Sequence, residues 1–278
     1  MINMKKKLIG VVTIGIAGVV AFNIFTTFKN KSIGSFSKNY HSSFAEKKDD
    51  LIIASTDTDG FTINNEEDNK VDLLENTTYE DENGNLIVKN TNDILVLANK
   101  QRNLPSDYKP EDLVIPNVRF PFEENLEKKY LRREAAEALE ELFDAADNEG
   151  ISLFAISGYR SYNTQKMLFE NKSNKVGTEK ANLLVAYPGQ SEHQTGLAID
   201  VSSQNVGFAL EESFGQVKEG QWLEENAHNF GFIIRYQKET TDITGYSYEP
   251  WHIRYVGKET AKEIFEKNIT LEEYLRAI

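Results

Sequence analysis

The sequence predicts an α+β domain built on a small, mainly antiparallel sheet flanked by helices. Three observations lead there. Helix and strand signals alternate from about residue 92 to residue 278, and each is short. Residues 126–148 carry Leu131, Ala135, Leu139, Leu142, Phe143 and Ala146 along one helical stripe, the period of an amphipathic helix. FIIRY at 232–236 and HIRYV at 252–256 are short β-rich runs joined by a loop containing Gly and Asp, as in paired strands. Interleaved elements this short favour helices packed on an antiparallel sheet over repeated crossover units.

At the start of the chain, Lys5, Lys6 and Lys7 precede an apolar run over residues 8–28, interrupted only by residues such as Thr13 and Asn23. Positive charge followed by such a run reads as an export signal whose start stays in the cytoplasm. Val19, Val20 and Ala21 offer a small-residue cleavage site, which would release a secreted protein. The run continues through Ile24, Phe25 and Phe28, reaching the roughly 20 residues needed to span a bilayer. That length favours an uncleaved membrane anchor. Residues 29–91 are rich in Asn, Asp, Glu, Lys, Ser and Thr, without sustained apolar period. They read as a largely disordered tether, since charged linkers repel themselves and extend. DENGNLIVKN at 81–90 holds a turn signal before a short apolar run, which allows a small hairpin. His41 reads as a solvated side chain of the tether, and no internal repeat is present.

Residues 92–278 then form the predicted domain. The helix over 126–148 stops at Gly150, as helices often do at glycine. ISLFAISGYRS at 151–161 reads as a strand running into a loop that presents Arg160, and helices follow over 162–171 and 178–186, the latter ended by Tyr187, Pro188 and Gly189. Residues 197–201 read as a strand with Asp200 near its end, His193 coming from the preceding loop. A helix over 221–229 turns Trp222, Leu223 and Ala227 inward and places His228 near its C-terminus, where a cationic ring suits the helix dipole. After the paired strands, residues 258–267 form a helix, and Thr270 with Glu273 opens a last one as a capping box.

Composition sets bounds on function. Hydrophobic residues make up 40% and aromatics 11%, enough for a packed core. The formal net charge of -13 argues against a nucleic-acid partner. With no cysteine, a disulfide scaffold, a thiolate metal site and a cysteine nucleophile are all excluded.

Only four histidines occur, and two of them sit among acids, glycine and aromatics: His193 with Asp200 in SEHQTGLAID, and His252 in EPWHIRY. Two imidazoles and a carboxylate suit a catalytic zinc, which takes three protein ligands and leaves a fourth position open. Such a metal polarises a carbonyl and activates water, so hydrolysis needs one further proton carrier. Glu249 is the candidate, close to His252 and next to Pro250 and Trp251. Taken singly, each residue has a plainer use: a structural histidine, an Asp at a strand end, a solvated Glu. Another divalent ion would also accept this donor set.

Three motifs in this order, SGYRSYNTQ at 157–165, SEHQTGLAID at 191–200 and EPWHIRY at 249–255, closely resemble the zinc D-alanyl-D-alanine carboxypeptidases of the VanY type and their LdcB-type LD-carboxypeptidase relatives. LANKQRNLPSDYKPEDLV at 97–114 is similar to the start of that catalytic domain, so the resemblance spans about residues 92–278. It implies a zinc-bearing sheet of the Hedgehog/DD-peptidase type. Carried over residue by residue, it makes His193, Asp200 and His252 the ligands of one zinc ion and Glu249 the catalytic acid/base. Arg160 corresponds to the arginine that steadies charge at the reacting carbonyl or on the substrate carboxylate. Gln165 and Ser191 correspond to positions that hold the terminal D-residue. The implied reaction removes the C-terminal D-alanine from peptidoglycan stem peptides, outside the cytoplasm in a bacterial envelope. A DD-carboxypeptidase acting on pentapeptides is the first reading, an LD-carboxypeptidase acting on tetrapeptides the alternative. The motifs do not separate the two. A non-catalytic wall-binding module is a reading of another class, against which the retained Glu249 speaks, and an endopeptidase would need a more open cleft.

Overall fold

The computed structural model describes residues 74 and 76–276. Residues 1–28, read as a signal anchor or signal peptide, His41 and most of the segment read as a tether lie outside these residues. Among the described residues no helix is long and apolar enough to cross a membrane. The fold is mixed α+β, with small sheets and helices, as the interleaved pattern predicts.

The central sheet has four strands, all antiparallel: β6 (Phe154–Ser157), β7 (Ala198–Ser202), β8 (Phe232–Tyr236) and β9 (Glu249–Tyr255), in spatial order β6-β7-β9-β8. Side chains alternate between the faces of a strand, and here the two faces serve different ends. Ile199, Val201, Phe232, Ile234, Ile253 and Tyr255 enter the main core. Asp200, Arg235, His252 and Arg254 occupy the alternate positions and are also buried. The main core is completed by α1 (Arg133–Asn148), whose Ala135, Leu139, Leu142 and Ala146 are fully buried.

The predicted helix over 126–148 starts later than its apolar stripe. Residues 127–129 form a single 3₁₀ turn, and Leu131–Arg132 form β5, antiparallel to β4 (Leu113–Val114). Leu131 is buried as the stripe requires, but as a strand residue. The turn has a further use: the carbonyls of Lys128 and Tyr130 accept the N–H groups of Gly158 and Tyr159, each at 2.7 Å. A Cβ at Gly158 would approach the Tyr130 carbonyl oxygen to 2.5 Å, so only glycine permits this seating of the loop before Arg160.

The remaining helices follow the predicted order, except that a short one at Thr241–Thr244 falls in the segment read as the loop between the paired strands. They are α2 (Tyr162–Val176), α3 (Thr178–Leu184), α4 (Lys218–Asn226), α5 (Thr241–Thr244), α6 (Lys258–Lys267) and α7 (Leu271–Tyr274). Ser161 caps α2 by accepting the Thr164 N–H, and Thr270 and Glu273 form the capping box of α7. The helix predicted over 221–229 begins three residues earlier and ends in a 3₁₀ turn at Ala227–Phe230, where the His228 ring stacks on Phe265. Leu97, Ile233, Val256, Ala261, Ile264, Leu271 and Leu275 make a second, smaller core that seats α6 and α7.

The turn signal at 81–90 is realised as a hairpin of β1 (Thr78–Glu80) and β2 (Leu86–Val88). β2 also pairs in parallel with β3 (Arg102–Asn103). Residues 76–91, read from sequence as part of the tether, therefore include an ordered hairpin. Arg102 donates to the Thr77 hydroxyl, and Val88 is buried in the main core.

Candidate metal centre

The ligand cluster grows from strand register. Asp200 in β7 lies directly opposite His252 in β9, mid-strand and not at the strand end expected for it. His193 arrives from the 3₁₀ turn Glu192–Thr195 just before β7. One ligand atom from each of His193, Asp200 and His252 lies within 4.8 Å of the others, and all three side chains are buried. Asp200 Oδ1 is 3.1 Å from His252 Nδ1, and Asp200 Oδ2 is 3.5 Å from His193 Nε2. The second nitrogen of each ring also faces an oxygen. His193 Nδ1 lies 2.8 Å from the Gly158 carbonyl, which fixes the proton there and leaves Nε2 as a lone pair toward the cluster. His252 Nε2 faces Glu192 Oε2 at 3.5 Å. The lone pairs of His193 Nε2, His252 Nδ1 and Asp200 thus converge, and the donor set fits one divalent cation.

Electrostatics agree with that fit. Burial, reinforced by the Arg160 guanidinium, pushes His193 down to about 3, so it is a neutral ligand at ordinary pH. Burial opposes charge on His252 too, but the hydrogen bond to Asp200 and the carboxylate of Glu192 facing the ring outweigh it and raise the ring to about 9. With no cation near, His252 holds a proton that offsets its acidic neighbours. A divalent cation at the same place displaces that proton. Asp200 is held below its ordinary value: burial alone would raise it, yet His193 and His252 prevail.

Two irregularities in the sheet aim further groups at the cluster, as bulges near active sites commonly do. In the β6–β7 pairing, the register shift between Ala155 and Ser157 sets Ser157 opposite Asp200. In the β8–β9 pairing, the shift between Ile234 and Tyr236 sets Tyr236 opposite Glu249, and the Tyr236 ring stacks on His252 at 5.0 Å. Glu249 is half-buried at the start of β9. Burial, with Asp200 adding and His252 opposing, lifts its carboxyl to about 7, a value suited to moving protons near neutrality.

All seven residues singled out in the sequence line one cleft of about 760 Å³: Arg160, Gln165, Ser191, His193, Asp200, Glu249 and His252. Arg160 donates from Nη1 to Gln165 Oε1 at 3.0 Å and from Nη2 to Ser157 Oγ at 3.2 Å. Gln165 is buried and donates in turn to the Ala186 carbonyl at 2.7 Å. The guanidinium is thereby held by its neighbours at the edge of the cluster. Ser191 is buried just before the 3₁₀ turn. Trp251 forms part of the wall, as does Tyr246.

Sequence reasoning overlooked the charged layer behind the cluster. Glu192, Arg235, Arg254 and Glu272 are all buried. Arg235 Nε and Arg254 Nη1 both donate to Glu192 Oε1, at 2.8 and 2.7 Å, and Arg235 makes a bidentate pair with Glu272 at 2.8 and 2.7 Å. Burial alone would raise the Glu192 carboxyl, but the two guanidiniums hold it far below the usual range. A signal was present: an arginine interrupts each of the apolar runs FIIRY and HIRYV, and a charge inside a buried strand demands a partner.

Comparison with known proteins converges on one family. The VanY family profile, described as D-alanyl-D-alanine carboxypeptidase, matches residues 128–258. YodJ of Bacillus subtilis (strain 168), whose carboxypeptidase naming is itself provisional, is 55% identical over 191 residues, covering 69% of this chain and 70% of that protein. A D-alanyl-D-alanine carboxypeptidase of Enterococcus faecalis (strain ATCC 700802 / V583) is 36% identical over 190 residues, 65% of each chain. Among solved structures, the LdcB LD-carboxypeptidase superposes with a TM-score of 0.69 at 54% identity, covering 70% of this chain and 92% of that one. A mutant of the vancomycin resistance D,D-pentapeptidase VanY in complex with Zn(II) gives 0.54 at 37% identity, covering 65% and 98%. A buried His-Asp-His cluster on an antiparallel sheet, the profile match and identity of this extent place the chain in the VanY family of D-alanyl-D-alanine metallo-carboxypeptidases.

Proposed function

We propose that this protein is a zinc-dependent D-Ala-D-Ala carboxypeptidase that trims the C-terminal D-alanine from peptidoglycan stem peptides. The observation that carries this reading is the convergence of three cation-ready donors with Glu249 and Arg160 in a single cleft. His193, Asp200 and His252 would hold the zinc, which when bound supplies Lewis-acid polarisation of the scissile carbonyl and a water of lowered pKa. Glu249 takes up a proton at its carboxylate from the attacking water and returns it to the departing amine. Arg160, steadied by Gln165 and Ser157, binds the terminal carboxylate or the oxyanion that forms. Gln165 and Ser191 shape the place of the terminal D-residue.

A second reading, an LD-carboxypeptidase acting on tetrapeptide stems, is favoured by the 54% identity to the LdcB structure. Residues 1–28 are proposed as the signal anchor or signal peptide that takes the domain outside the cytoplasm, and the segment after them as a tether that, if the anchor is kept, lets the domain reach the wall.

The test uses both stem peptides. Purified protein is incubated with a pentapeptide ending in D-Ala-D-Ala and with the corresponding tetrapeptide, and products are weighed by mass spectrometry. Loss of one alanine from the pentapeptide supports the first reading and loss from the tetrapeptide alone the second. Release from neither overturns both. Glu249→Ala should abolish release while zinc content stays at one ion per chain.

A further inference from the structure

We propose that Glu192 is the positioning residue for the metal ligand His252. It would set the imidazole's tautomer and orientation, and the buried Arg235, Arg254 and Glu272 would hold Glu192 in place for that task. The inference rests on the reading of His252 as a zinc ligand, and it adds a control on the site that lies behind the three donors.

The geometry comes from the two oxygens of one carboxylate. Glu192 Oε1 is saturated, accepting from Arg235 Nε and Arg254 Nη1. Glu192 Oε2 and His252 Nε2 are both buried without any hydrogen-bond partner, and they face each other at 3.5 Å. A neutral imidazole carries one proton, so it has two choices here. With the proton on Nδ1, His252 would donate to Asp200 Oδ1 at 3.1 Å, and the Nε2 lone pair would confront an ionised carboxylate. With the proton on Nε2, it donates toward Glu192, and the Nδ1 lone pair turns to the cation. Only the second form ligates. A carboxylate behind a ligating histidine has this effect on ring orientation and basicity in metal sites generally.

Glu192 can act this way only if its own orientation is fixed. Both arginines are anchored elsewhere, Arg254 Nη2 to the carbonyls of Ile94 and Val96 at 2.9 and 2.7 Å, and Arg235 to Glu272 of α7. Asn99 donates to Glu272 Oε1 at 3.2 Å. The 3₁₀ turn thus carries one metal ligand, His193, and the residue that orients another.

Glu192→Gln reverses the demand made on the ring. The amide oxygen can keep the arginines, but the NH₂ then faces His252 Nε2 and donates to it, which favours the proton on Nδ1. Zinc affinity, measured by competition with a chromogenic chelator, is expected to fall about 10- to 100-fold in this variant. Glu272→Gln loosens the bracing of Arg235 and should lower zinc affinity by less than Glu192→Gln does, whereas Leu139→Ala, which opens the main core outside this network, should lower stability to denaturant yet leave zinc affinity near wild type. In the zinc-loaded wild type, a slowly exchanging Nε2–H proton of His252 should appear by NMR and be lost in Glu192→Gln. Should Glu192→Gln fail to fold, Glu192→Asp retains the charge while shortening the reach to His252, and the same loss of affinity is expected. Wild-type zinc affinity in a folded Glu192→Gln or Glu192→Asp variant overturns the proposal, as does an equal loss in Leu139→Ala. If the wild-type protein itself binds no zinc, the metal reading fails and not merely this refinement of it.

Discussion

In the proposed reaction, Glu249 and Arg160 are the single side chains that decide rate. The Glu249 carboxyl stands at about 7 with no cation beside it, chiefly because it is buried; a bound cation nearby lowers that value. A general base works ionised, so kcat/KM should decline as pH falls through a limb lying below 7. Activity that rises between pH 7 and pH 5 would exclude Glu249 as the base. Arg160→Lys keeps the charge but gives up the fork that meets Gln165 and Ser157. A loss of about 10²- to 10³-fold in kcat is expected, the scale seen when an oxyanion donor is removed, with zinc content unchanged. At this scale the sequence was most readable, because scarce histidines beside acids announce metal chemistry. Glu192 was not readable, although it adjoins a predicted ligand: its partners Arg235, Arg254 and Glu272 come from remote segments, and only folding reveals that their charges meet.

Among elements, α7 is short but holds Glu272 against Arg235, so its cap matters beyond local stability. Thr270→Ala removes one half of the capping box and should cost about 0.5–2 kcal/mol, read as a lower denaturation midpoint in urea. Gly220→Ala should cost more than an ordinary surface change. A Cβ there would collide with the Phe214 carbonyl oxygen, pushing α4 away from the 3₁₀ turn Glu212–Gln216; an unchanged melting temperature would contradict this. Periodicity and capping residues made most helices legible. The late start of α1 was hidden because Leu131 satisfies the helical stripe and a strand equally well. The two register shifts that aim Ser157 and Tyr236 were hidden as well, since bulges arise from pairing and leave no mark on one strand alone.

For the whole molecule, stripping the metal with a chelator should abolish hydrolysis and lower the thermal midpoint, and added zinc should restore both. Ligand at about 100 times its Kd contributes roughly 2.7 kcal/mol, enough to detect by calorimetry. The α+β class was legible from interleaved short elements, and so was the β8–β9 pairing, while the place of β9 beside β7 was not, because those strands are not consecutive in the chain. The turn signal at 81–90 made the hairpin at 78–88 legible, but not its attachment to the domain by pairing with β3 and by Val88 in the core. The direct pairing of Asp200 with His252 has a consequence for how the chain finds its fold. A one-residue slip reverses every side chain of a strand, turning one donor into the apolar interior and leaving the other stranded. Misaligned sheets would therefore lose the three converging donors, so a cation that binds them would favour the native strand alignment over its slipped competitors.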